Sequence, residues 1–477
     1  MVALPEARPL ERGAEAGARR DSPVARIGWL LPGAVLALFA VKSLGPVRDP
    51  DTFWHLRAGE HLLSTGQFVL DDPFGAGAQR PWILNQWMPE VLLHGADAAF
   101  GLPGVAWLLC LATVLVGVCL WVACRRRSSA LVTALVLAVA FVAMGGSLSP
   151  RPQLVTFGLA ALSVDAWWRT LADGRARWWL VPITWLWACS HGMWFVGPGI
   201  GVLAVVGGVL DGRWRLRRAS RLVLVPVLSV AVAAVTPVGP RLFLSPFQVA
   251  DVTPFVSEWQ ATSLGDPGLW ATLALLVPVA VLVRRRELRW TTALFAAVAV
   301  YLAFSHSRTV ALAAVIVAPL AAAALQSLLP VPREPVARSE RVATVVLPAA
   351  ALALVALLAP SVASRPALGA PTLDRPLSAL PAGTVVCSDE AVGGWLEWAH
   401  PTLRPTMDTR VEIRTAERIA SYHRFVTGAA VWQEYPTELH CDAALLANDS
   451  RVLTLMTGAS WTRTAAGDGY VLLAEPR

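Results

Sequence analysis

The chain has 477 residues, of which 55% are hydrophobic and only 15% are charged. A soluble globular domain carries roughly 25% charged residues, and the mean hydropathy of +0.54 is that of a membrane protein. The net charge of +7 comes from arginines in short clusters between apolar stretches. This distribution follows the positive-inside rule and argues against a nucleic-acid-binding face. We therefore expect a polytopic membrane protein that binds membrane lipids and has no nucleic-acid partner.

The N-terminal region indicates a signal anchor and not a cleaved signal peptide. Residues 1–26 are polar, an apolar stretch follows, and no small-residue cleavage site leads into a soluble domain. Apolar stretches suited to a hydrocarbon core of about 30 Å recur along the chain. We predict about eleven membrane spans, at 27–44, 103–123, 130–147, 153–170, 178–190, 193–210, 221–236, 268–283, 290–305, 308–328 and 342–360.

Two stretches need a separate interpretation. Residues 89–101 are too short and mixed in polarity to cross, so they predict an interfacial helix at the outer surface. The stretch 178–210 would be about 50 Å long as one helix, which is too long for a single span. It predicts a hairpin that turns at Ser190–Gly192, with a re-entrant first arm as the alternative.

Five arginine clusters give the predicted direction of the spans. Every cluster falls in a connection on the same side as the N-terminus, which should be the cytoplasmic side. The opposite side holds the first outer loop (residues 45–102), the loop 237–267 and everything after residue 360. The clusters are Arg125–Arg127; Arg169 with Arg175 and Arg177; Arg213–Arg221; Arg284–Arg286 with Arg289; and Arg333 with Arg338 and Arg341.

The chain changes character after the last span. A Pro-rich linker at 361–383 is expected to be extended. Residues 384–477 alternate short apolar runs with amphipathic ones, which predicts a small extracytoplasmic α/β domain. Its predicted strands are Thr384–Cys387, Arg404–Thr409, Ala443–Leu446, Val452–Leu455 and Tyr470–Ala474, and its predicted helices are Ala391–Ala399 and Ala416–Val426.

The C-terminal domain contains two cysteines, Cys387 and Cys441. An oxidising outer compartment permits a disulfide between them, although spacing alone does not establish the pair. The other four cysteines lie in or near spans and are expected to act as small apolar packing residues.

The first outer loop contains the most informative polar pattern. Asp49 and Asp51 follow the first span, with Pro50 holding the backbone extended between them. Two carboxylates so placed can bind one divalent cation such as Mg²⁺ or Mn²⁺, and one carboxylate alone can act as a general base. His55 lies one turn further if a helix begins near Asp51. The alternative is that Asp51 or Thr52 caps an interfacial helix without chemical function.

Other polar residues mark the outer ends of predicted spans. Arg151 and Gln153 precede one helix, Arg308 precedes another, and His191 and Glu258 lie in outer connections. Arginines at these places can snorkel to lipid phosphates without further function. Two of them near an acidic loop also suggest a site for an anionic lipid headgroup.

The order of these motifs resembles bacterial multi-spanning proteins of the GT-C glycosyltransferase superfamily. That superfamily includes oligosaccharyltransferases, protein mannosyltransferases and aminoarabinose transferases. The first outer loop is similar to the D-P-D-x-W-W-H-L-x-x-G element of an uncharacterised branch, and six further elements of that branch follow in order. The seven elements read here as Asp49–Gly59, Arg151–Gln153, Trp187–Gly192, Thr236–Gly239, Glu258–Trp259, Val392–Leu396 and Asp408–Arg410.

The elements also depart from the pattern of the branch. An asparagine of the branch is replaced by Cys189 or Ser190, and another by Thr236. Val238 stands in place of tyrosine, and Val392 in place of tryptophan. Any role of those side chains in the branch is therefore not carried over to this chain.

The resemblance implies a GT-C fold and a sugar donor carried on a polyprenyl phosphate. The usual catalytic feature of the superfamily, an acidic pair in the first outer loop, corresponds to Asp49 and Asp51. The predicted function is an inverting membrane glycosyltransferase of the bacterial plasma membrane, with a cell-envelope glycan, lipid or protein as acceptor. The predicted substrate-binding residues are His55, Arg57, Arg151, Gln153, His191, Glu258 and Arg308.

Two other classes of function stay open at this level. A lipid or glycan transporter would need ionisable residues in mid-span and broken helices, and the predicted spans contain almost none of the former. A non-catalytic assembly factor for envelope polysaccharide would instead use the outer domain to bind partners. The sugar, the acceptor and the oligomeric state are not specified by the sequence.

Overall fold

The computed structural model describes residues 27–244, 247, 249–284 and 289–475. The predicted cytoplasmic tail 1–26 and two arginines of the fourth cluster, Arg285 and Arg286, lie outside the described residues. The described chain is mostly helical, with a small mixed sheet near its C-terminal end.

Helices occupy all eleven predicted spans. They are α1 Leu31–Lys42, α4 Leu102–Arg125, α5 Ala130–Met144, α6 Gln153–Asp173, α7 Leu180–Ala188, α8 Val196–Leu210, α9 Leu216–Ala233, α10 Pro267–Arg284, α11 Trp290–Ser305, α12 Val310–Leu328 and α13 Arg338–Val362. Among the described residues, five helices are long and apolar enough to cross a membrane: α4, α5, α8, α12 and α13, three of them with short extensions. Helices α1, α10 and α11 are shorter apolar helices. This makes the chain a multi-pass membrane protein.

Helix α12 lies in the middle of the bundle. It is rich in alanine, and its residues from Val310 to Ala322 are all buried. Small side chains allow neighbouring helices to approach closely, which is how membrane helices pack without a hydrophobic driving force between them. Helix α13 packs along α1 in the same way, because Gly33 lies against the Ala343 backbone, where a Cβ atom would come within 2.6 Å of the carbonyl oxygen.

The connections that carry the arginines meet at one end of the bundle. Nε of Arg125 donates to Glu340 at 2.7 Å, and Arg127 donates to Asp165 at 3.1 Å. The arrangement agrees with the prediction that these connections share one side. Further contacts at this end join Arg333 to the Arg126 carbonyl, Arg218 to the Gly174 carbonyl and Asp211 to the Trp290 amide.

The first outer loop forms two helices joined by a short hairpin. Helix α2 spans Pro50–Thr65, strands β1 (Val69–Leu70) and β2 (Trp82–Ile83) pair antiparallel, and helix α3 spans Trp87–Phe100. Helix α3 is the element predicted at 89–101. The N-cap of α2 is Asp49, whose carboxylate accepts from the Asp51 amide at 3.0 Å, as expected for an aspartate at this position.

The C-terminal domain is built on a five-stranded mixed sheet. Its strands are β3 Val385–Ser388, β4 Arg404–Pro405, β5 Ala443–Ala447, β6 Thr462–Gly467 and β7 Tyr470–Ala474, and its helices are α14 Asp374–Ser378, α15 Glu390–Ala399, α16 Ala416–Val426, α17 Glu434–Glu438 and α18 Arg451–Gly458. The strand order in the sheet is β4-β3-β5-β7-β6. Strand β3 runs parallel to β4 and β5, whereas β7 runs antiparallel to β5 and β6.

Several details of this domain and its linker differ from the sequence prediction. Strand β4 covers only the first two residues of the predicted strand Arg404–Thr409, and helix α17 was not predicted. The apolar run Val452–Leu455 is part of helix α18, because Val452, Leu453 and Met456 share one buried face. Strand β6 was not predicted, since half of its residues are polar and most are exposed along the sheet edge. The linker at 361–383 is not simply extended: it contains a 3₁₀ turn and helix α14, which bury Leu373 and Leu377.

Candidate functional site

A cavity of about 1510 Å³ lies where the helix bundle, the first outer loop and the C-terminal domain meet. Apolar side chains from the bundle contribute to its lining, among them Phe39, Leu109 and Leu302. The acidic pair and most of the predicted binding residues also line it. The cavity therefore offers both apolar and charged groups to the same ligand.

Arg151 holds the acidic pair. Its guanidinium lies 2.6 Å from Asp51 Oδ2 and 3.7 Å from Asp49 Oδ2. A third carboxylate, Glu258, lies 2.6 Å from Arg151 and also 3.4 Å from Arg308. One cation thus faces three carboxylates, and Glu258 joins the two arginines that the sequence singled out.

The two aspartates differ in how their oxygens are used. Asp51 is bound through both oxygens, one to Arg151 and the other to the hydroxyl of Thr409 from the C-terminal domain. One oxygen of Asp49 accepts from the Asp51 amide, and the other lies 3.7 Å from Arg151. The side chain of Ser149 also hydrogen-bonds to the Asp49 carboxylate. Burial and the neighbouring Asp51 carboxylate raise the pKa of Asp49 to about 6. Asp49 therefore takes up a proton at a higher pH than an ordinary aspartate does.

Arg308 lines the cavity beside Glu258. Its guanidinium lies 5.7 Å from the centre of the Trp259 ring, within cation–π range. Its one carboxylate partner among the described residues is Glu258, at 3.4 Å. Arg308 is thus less fully neutralised than Arg151.

His55 forms a buried pair with Glu90. Nδ1 of His55 lies 3.0 Å from Glu90 Oε1, and both side chains are about 2% exposed. Burial, with Arg151 and Arg308 nearby, holds the pKa of His55 well below its usual value, whereas burial raises the pKa of Glu90 to about 8. The contact is therefore a hydrogen bond between two neutral groups at neutral pH and not an ion pair.

His191 is held by a hydrogen-bonded chain behind the cavity. The indole Nε1 of Trp187 donates to Thr156 Oγ1 at 2.7 Å, and this oxygen lies 2.8 Å from His191 Nδ1. Burial, together with Arg308 and Arg151, keeps the pKa of His191 well below its usual value. His191 is thus a neutral imidazole at the cavity wall.

The cavity brings together most of the residues predicted from the sequence. Asp49, Asp51, His55, Arg151, Gln153, His191, Glu258 and Arg308 all line it. Gln153 is oriented by its amide, which donates to the Ser147 carbonyl at 2.8 Å. Arg57 lies elsewhere: it pairs with Glu60 on the same helix and stacks on Phe74, outside the cavity lining.

Sequence reasoning missed Thr409 and Glu90. The element Asp408–Arg410 was noticed only as a resemblance, and nothing in its local pattern indicates contact with Asp51. Glu90 contacts His55 because the first outer loop packs helix α3 against helix α2. Gly59 makes this possible, because a Cβ atom there would lie 2.2 Å from the Glu90 carbonyl oxygen.

A second cluster of carboxylates, Asp72, Glu397 and Asp408, is close enough to share one cation. The cation present is Arg410, which donates to Asp72 at 2.9 Å, Glu397 at 2.6 Å and Asp408 at 2.8 Å. Burial raises the pKa of Glu397 well above its usual value, so the remaining two carboxylates balance Arg410 and Arg414. The arginines already supply the positive charge that a metal would bring.

The acidic pair fits a resident metal poorly as placed. Both oxygens of Asp51 have protein partners, and Arg151 neutralises the pair. Within the described part of the chain, no set of three histidine, cysteine or acidic ligands forms around Asp49 and Asp51. We therefore derive no chemical step through a divalent cation.

The structure also brings together the two cysteines of the C-terminal domain. The Sγ atoms of Cys387 and Cys441 lie 1.99 Å apart, and their Cα atoms 5.7 Å apart, which is the geometry of a disulfide. Of the other four cysteines, Cys110, Cys124 and Cys189 are buried and Cys119 is half-buried.

The fold is similar to that of GT-C glycosyltransferases over most of the chain. The archaeal oligosaccharyltransferase AglB from Archaeoglobus fulgidus, in complex with an inhibitory peptide and a dolichol-phosphate, matches with a TM-score of 0.58 at 11% identity, covering 89% of this chain and 70% of that chain. The A. fulgidus oligosaccharyltransferase in complex with Zn and sulfate matches with a TM-score of 0.55 at 14% identity, covering 87% and 68%. These likenesses establish the fold.

A further match is ArnT from Cupriavidus metallidurans bound to undecaprenyl phosphate. It covers 94% of this chain and 100% of that chain, at 17% identity and a TM-score of 0.47. No protein-family model and no curated protein sequence matches the chain.

Proposed function

We propose that this protein is a GT-C glycosyltransferase that transfers a sugar from a polyprenyl-phosphate-linked donor to an extracytoplasmic acceptor in the cell envelope. The observation that carries the proposal is the acidic pair Asp49 and Asp51, held by Arg151 in a cavity that is lined by both charged and apolar side chains. A lipid-linked sugar has the matching chemistry, because its chain needs an apolar lining and its phosphate needs cations. The solved structure of AglB in complex with dolichol-phosphate supports the same ligand class.

The two aspartates take different roles in this proposal. Asp49, whose contact with Arg151 is longer than that of Asp51, accepts the proton of the acceptor hydroxyl. The acceptor oxygen attacks the anomeric carbon from the side opposite the phosphate, the new glycosidic bond forms, and the bond to the phosphate oxygen breaks with inversion. Asp51, bound through both oxygens, holds Arg151 in place beside the reacting groups.

The leaving phosphate is assigned to the cations of the cavity. Arg308 is the stronger candidate of the two predicted arginines, because Arg151 already faces three carboxylates. Lys42 and Arg48 also line the cavity and have no carboxylate partner within the described part of the chain. A planar guanidinium binds two phosphate oxygens at once, which suits Arg308 for the charge that develops as the sugar departs.

The proposal includes a topology. Eleven spans place the N-terminal tail 1–26 in the cytoplasm, and residues 27–360 form the transmembrane domain with its first outer loop at 45–102. The linker 361–383 and the α/β domain 384–477 then lie outside the plasma membrane, on the same side as the cavity. This arrangement supplies the lipid donor from the membrane and the acceptor from the envelope.

The test compares transfer by the wild type with transfer by Asp49→Asn and Asp51→Asn at matched membrane abundance. Each change removes a charge and preserves size. For Asp49→Asn we expect roughly a 10²-fold loss or more, the usual contribution of a positioned acid–base group. For Asp51→Asn we expect roughly a tenfold or greater loss, because a charge-assisted contact to Arg151 is weakened. The matched control is Asp71→Asn, because Asp71 is an exposed carboxylate of the same loop outside the cavity lining. Growth of the envelope glycan or glycolipid product is the readout.

The outcomes separate three possibilities. Normal product from the Asp49→Asn/Asp51→Asn double variant would exclude the acidic-pair mechanism and favour a non-catalytic assembly factor. Loss of transfer in the two variants but not in Asp71→Asn would support the proposal. Chelation with EDTA adds a third arm: transfer that persists agrees with neutralisation by Arg151, and loss that Mg²⁺ or Mn²⁺ restores would show a metal bound at the pair.

A further inference from the structure

The C-terminal domain reaches the acidic pair through Thr409. The hydroxyl of Thr409 donates to the Asp51 carboxylate, although the two residues are 358 positions apart. The same oxygen accepts a hydrogen bond from the indole Nε1 of Trp54 at 3.0 Å. Because an indole only donates, the hydroxyl proton of Thr409 is left for Asp51. The local hydrogen-bond pattern thus fixes the direction of the contact.

Arg410, the next residue, stabilises this contact between the first outer loop and the C-terminal domain. Its guanidinium is fully buried and donates to Asp72 of the first outer loop at 2.9 Å. It also donates to Glu397 and Asp408 of the C-terminal domain. The ring of Trp82, again from the outer loop, lies 4.6 Å from the guanidinium carbon. A buried charge must keep its partners, so the two parts hold Arg410 together.

Apolar packing brings the same surfaces together. Phe53 and Leu56 of α2 share one buried cluster with Trp395 and Leu396 of α15. The close approach needs a glycine: a Cβ atom on Gly394 would lie 2.9 Å from the carbonyl oxygen of Pro50, the residue between the two aspartates. The domain is therefore packed directly against the acidic pair.

We propose, on the basis of the function proposed above, that Thr409 is a positioning residue of the transfer site, so that the C-terminal domain is part of that site. Thr409 on one oxygen and Arg151 on the other fix the plane of the Asp51 carboxylate. Arg151 then keeps its place beside Asp49, which takes the proton from the acceptor. Arg410 acts one step further away by holding Thr409 at the interface.

The test uses two pairs of full-length variants that differ only in the hydroxyl group. Wild type and Thr409→Val have side chains of the same shape, and Thr409→Ser and Thr409→Ala both lack the methyl group. A hydrogen bond to a charged group predicts roughly a tenfold or greater loss of transfer when the hydroxyl is removed. We expect Thr409→Val and Thr409→Ala to lose transfer and Thr409→Ser to retain most of it.

Two further measurements distinguish positioning from a merely structural effect. Thermal unfolding of each purified variant shows whether the domain stays folded, and transfer is compared at equal amounts of folded protein. If Thr409→Val unfolds because it leaves the indole of Trp54 without an acceptor, the Ser and Ala pair still isolates the hydroxyl. Asp49→Asn, measured alongside, reports on the proposed function itself, because Asp49 is the proposed base.

Full transfer by Asp49→Asn would defeat the proposed function, whatever Thr409 does. Loss of transfer by Asp49→Asn, together with unchanged transfer by Thr409→Val and Thr409→Ala, would overturn the positioning role and leave the proposed function standing. Equal loss in Thr409→Ser and Thr409→Ala would also overturn it, since the hydroxyl would then not be the group that matters.

Discussion

At the scale of single residues, burial decides which groups around the cavity carry charge. His55 and Glu90 form an acid–base pair by residue type, yet both are neutral at neutral pH because water cannot solvate their charged forms. The pKa of Asp49 is raised like that of Glu90, and burial is the main cause for both. A count of charged residues along the sequence therefore overstates the charge of this site.

The first prediction concerns the pH dependence of stability at Glu90. A carboxyl group whose pKa is raised on folding stabilises the folded state below its unfolded pKa, and this contribution is lost as the pH rises through the folded pKa. For Glu90 the window runs from 4.5 to about 8. His55 acts in the opposite direction, since its lowered pKa costs stability as the pH falls below 6.5.

The variant Glu90→Gln removes the ionisation of Glu90 and keeps the hydrogen-bonding side chain. We expect its free energy of unfolding, relative to wild type, to improve steadily across that window as the pH rises. Thermal unfolding of the purified protein in detergent measures the difference. Glu417→Gln is the control, because Glu417 is exposed on the C-terminal domain. A difference between Glu90→Gln and wild type that does not vary with pH would contradict the prediction.

At the scale of elements, the contact between α2 and α3 shapes the site. Helix α2 presents Asp51 and His55, and α3 supplies Glu90 to His55. Gly59 stands at the crossing, where any Cβ atom would meet the α3 backbone. The position of His55 in the cavity therefore depends on a residue without a side chain.

The second prediction compares Gly59→Ala with Gly95→Ala. A Cβ atom on Gly59 would lie 2.2 Å from the Glu90 carbonyl oxygen, whereas one on Gly95 of α3 meets nothing within 4 Å. We expect Gly59→Ala to destabilise by about 1–3 kcal/mol through overpacking. Gly95→Ala should be neutral or stabilising by up to about 1 kcal/mol, because alanine favours a helix. Chemical or thermal unfolding checks both, and equal stability of the two variants would mean that the helices separate easily.

At the scale of the whole molecule, the two ends of the bundle have different chemistry. The arginine-rich connections meet at one end through ion pairs such as Arg125 with Glu340. The cavity and the C-terminal domain lie at the opposite end of the bundle. The positive-inside rule assigns the first end to the cytoplasm.

The third prediction tests this orientation with single cysteines at exposed positions. Arg217→Cys and Arg338→Cys should react with a membrane-impermeant maleimide only after cells are permeabilised. Asp71→Cys and Asp449→Cys should react in intact cells, because the first outer loop and the C-terminal domain face outward. The outward position of the first outer loop and the C-terminal domain is the proposed topology under test. All four positions are exposed. Labelling of Arg338→Cys from outside would place the C-terminal domain in the cytoplasm and remove the proposed access to an envelope acceptor.

Local patterns were enough to predict the helices of the bundle. A span is recognised from a run of apolar residues as long as the hydrocarbon core is thick, and its direction from the charges beside it, so no distant contact is needed. Local pattern failed where it was ambiguous, as at Val452–Leu455, which is apolar enough for a strand but lies in helix α18. It also failed at β6, whose polar residues lie on an exposed sheet edge.

The sequence by itself determined the membrane class, the helices and the residue types of an acidic, arginine-flanked outer site. Only the tertiary structure decided which of these residues meet. Asp51 binds Arg151, which is 100 positions away, and Thr409, which is 358 positions away, about three quarters of the chain length. Arg57 instead pairs with Glu60 on its own helix. The physical reason is that hydrophobicity and helical period are properties of neighbouring residues. A buried charge instead takes its partner from whatever segment the packing of the whole chain brings near.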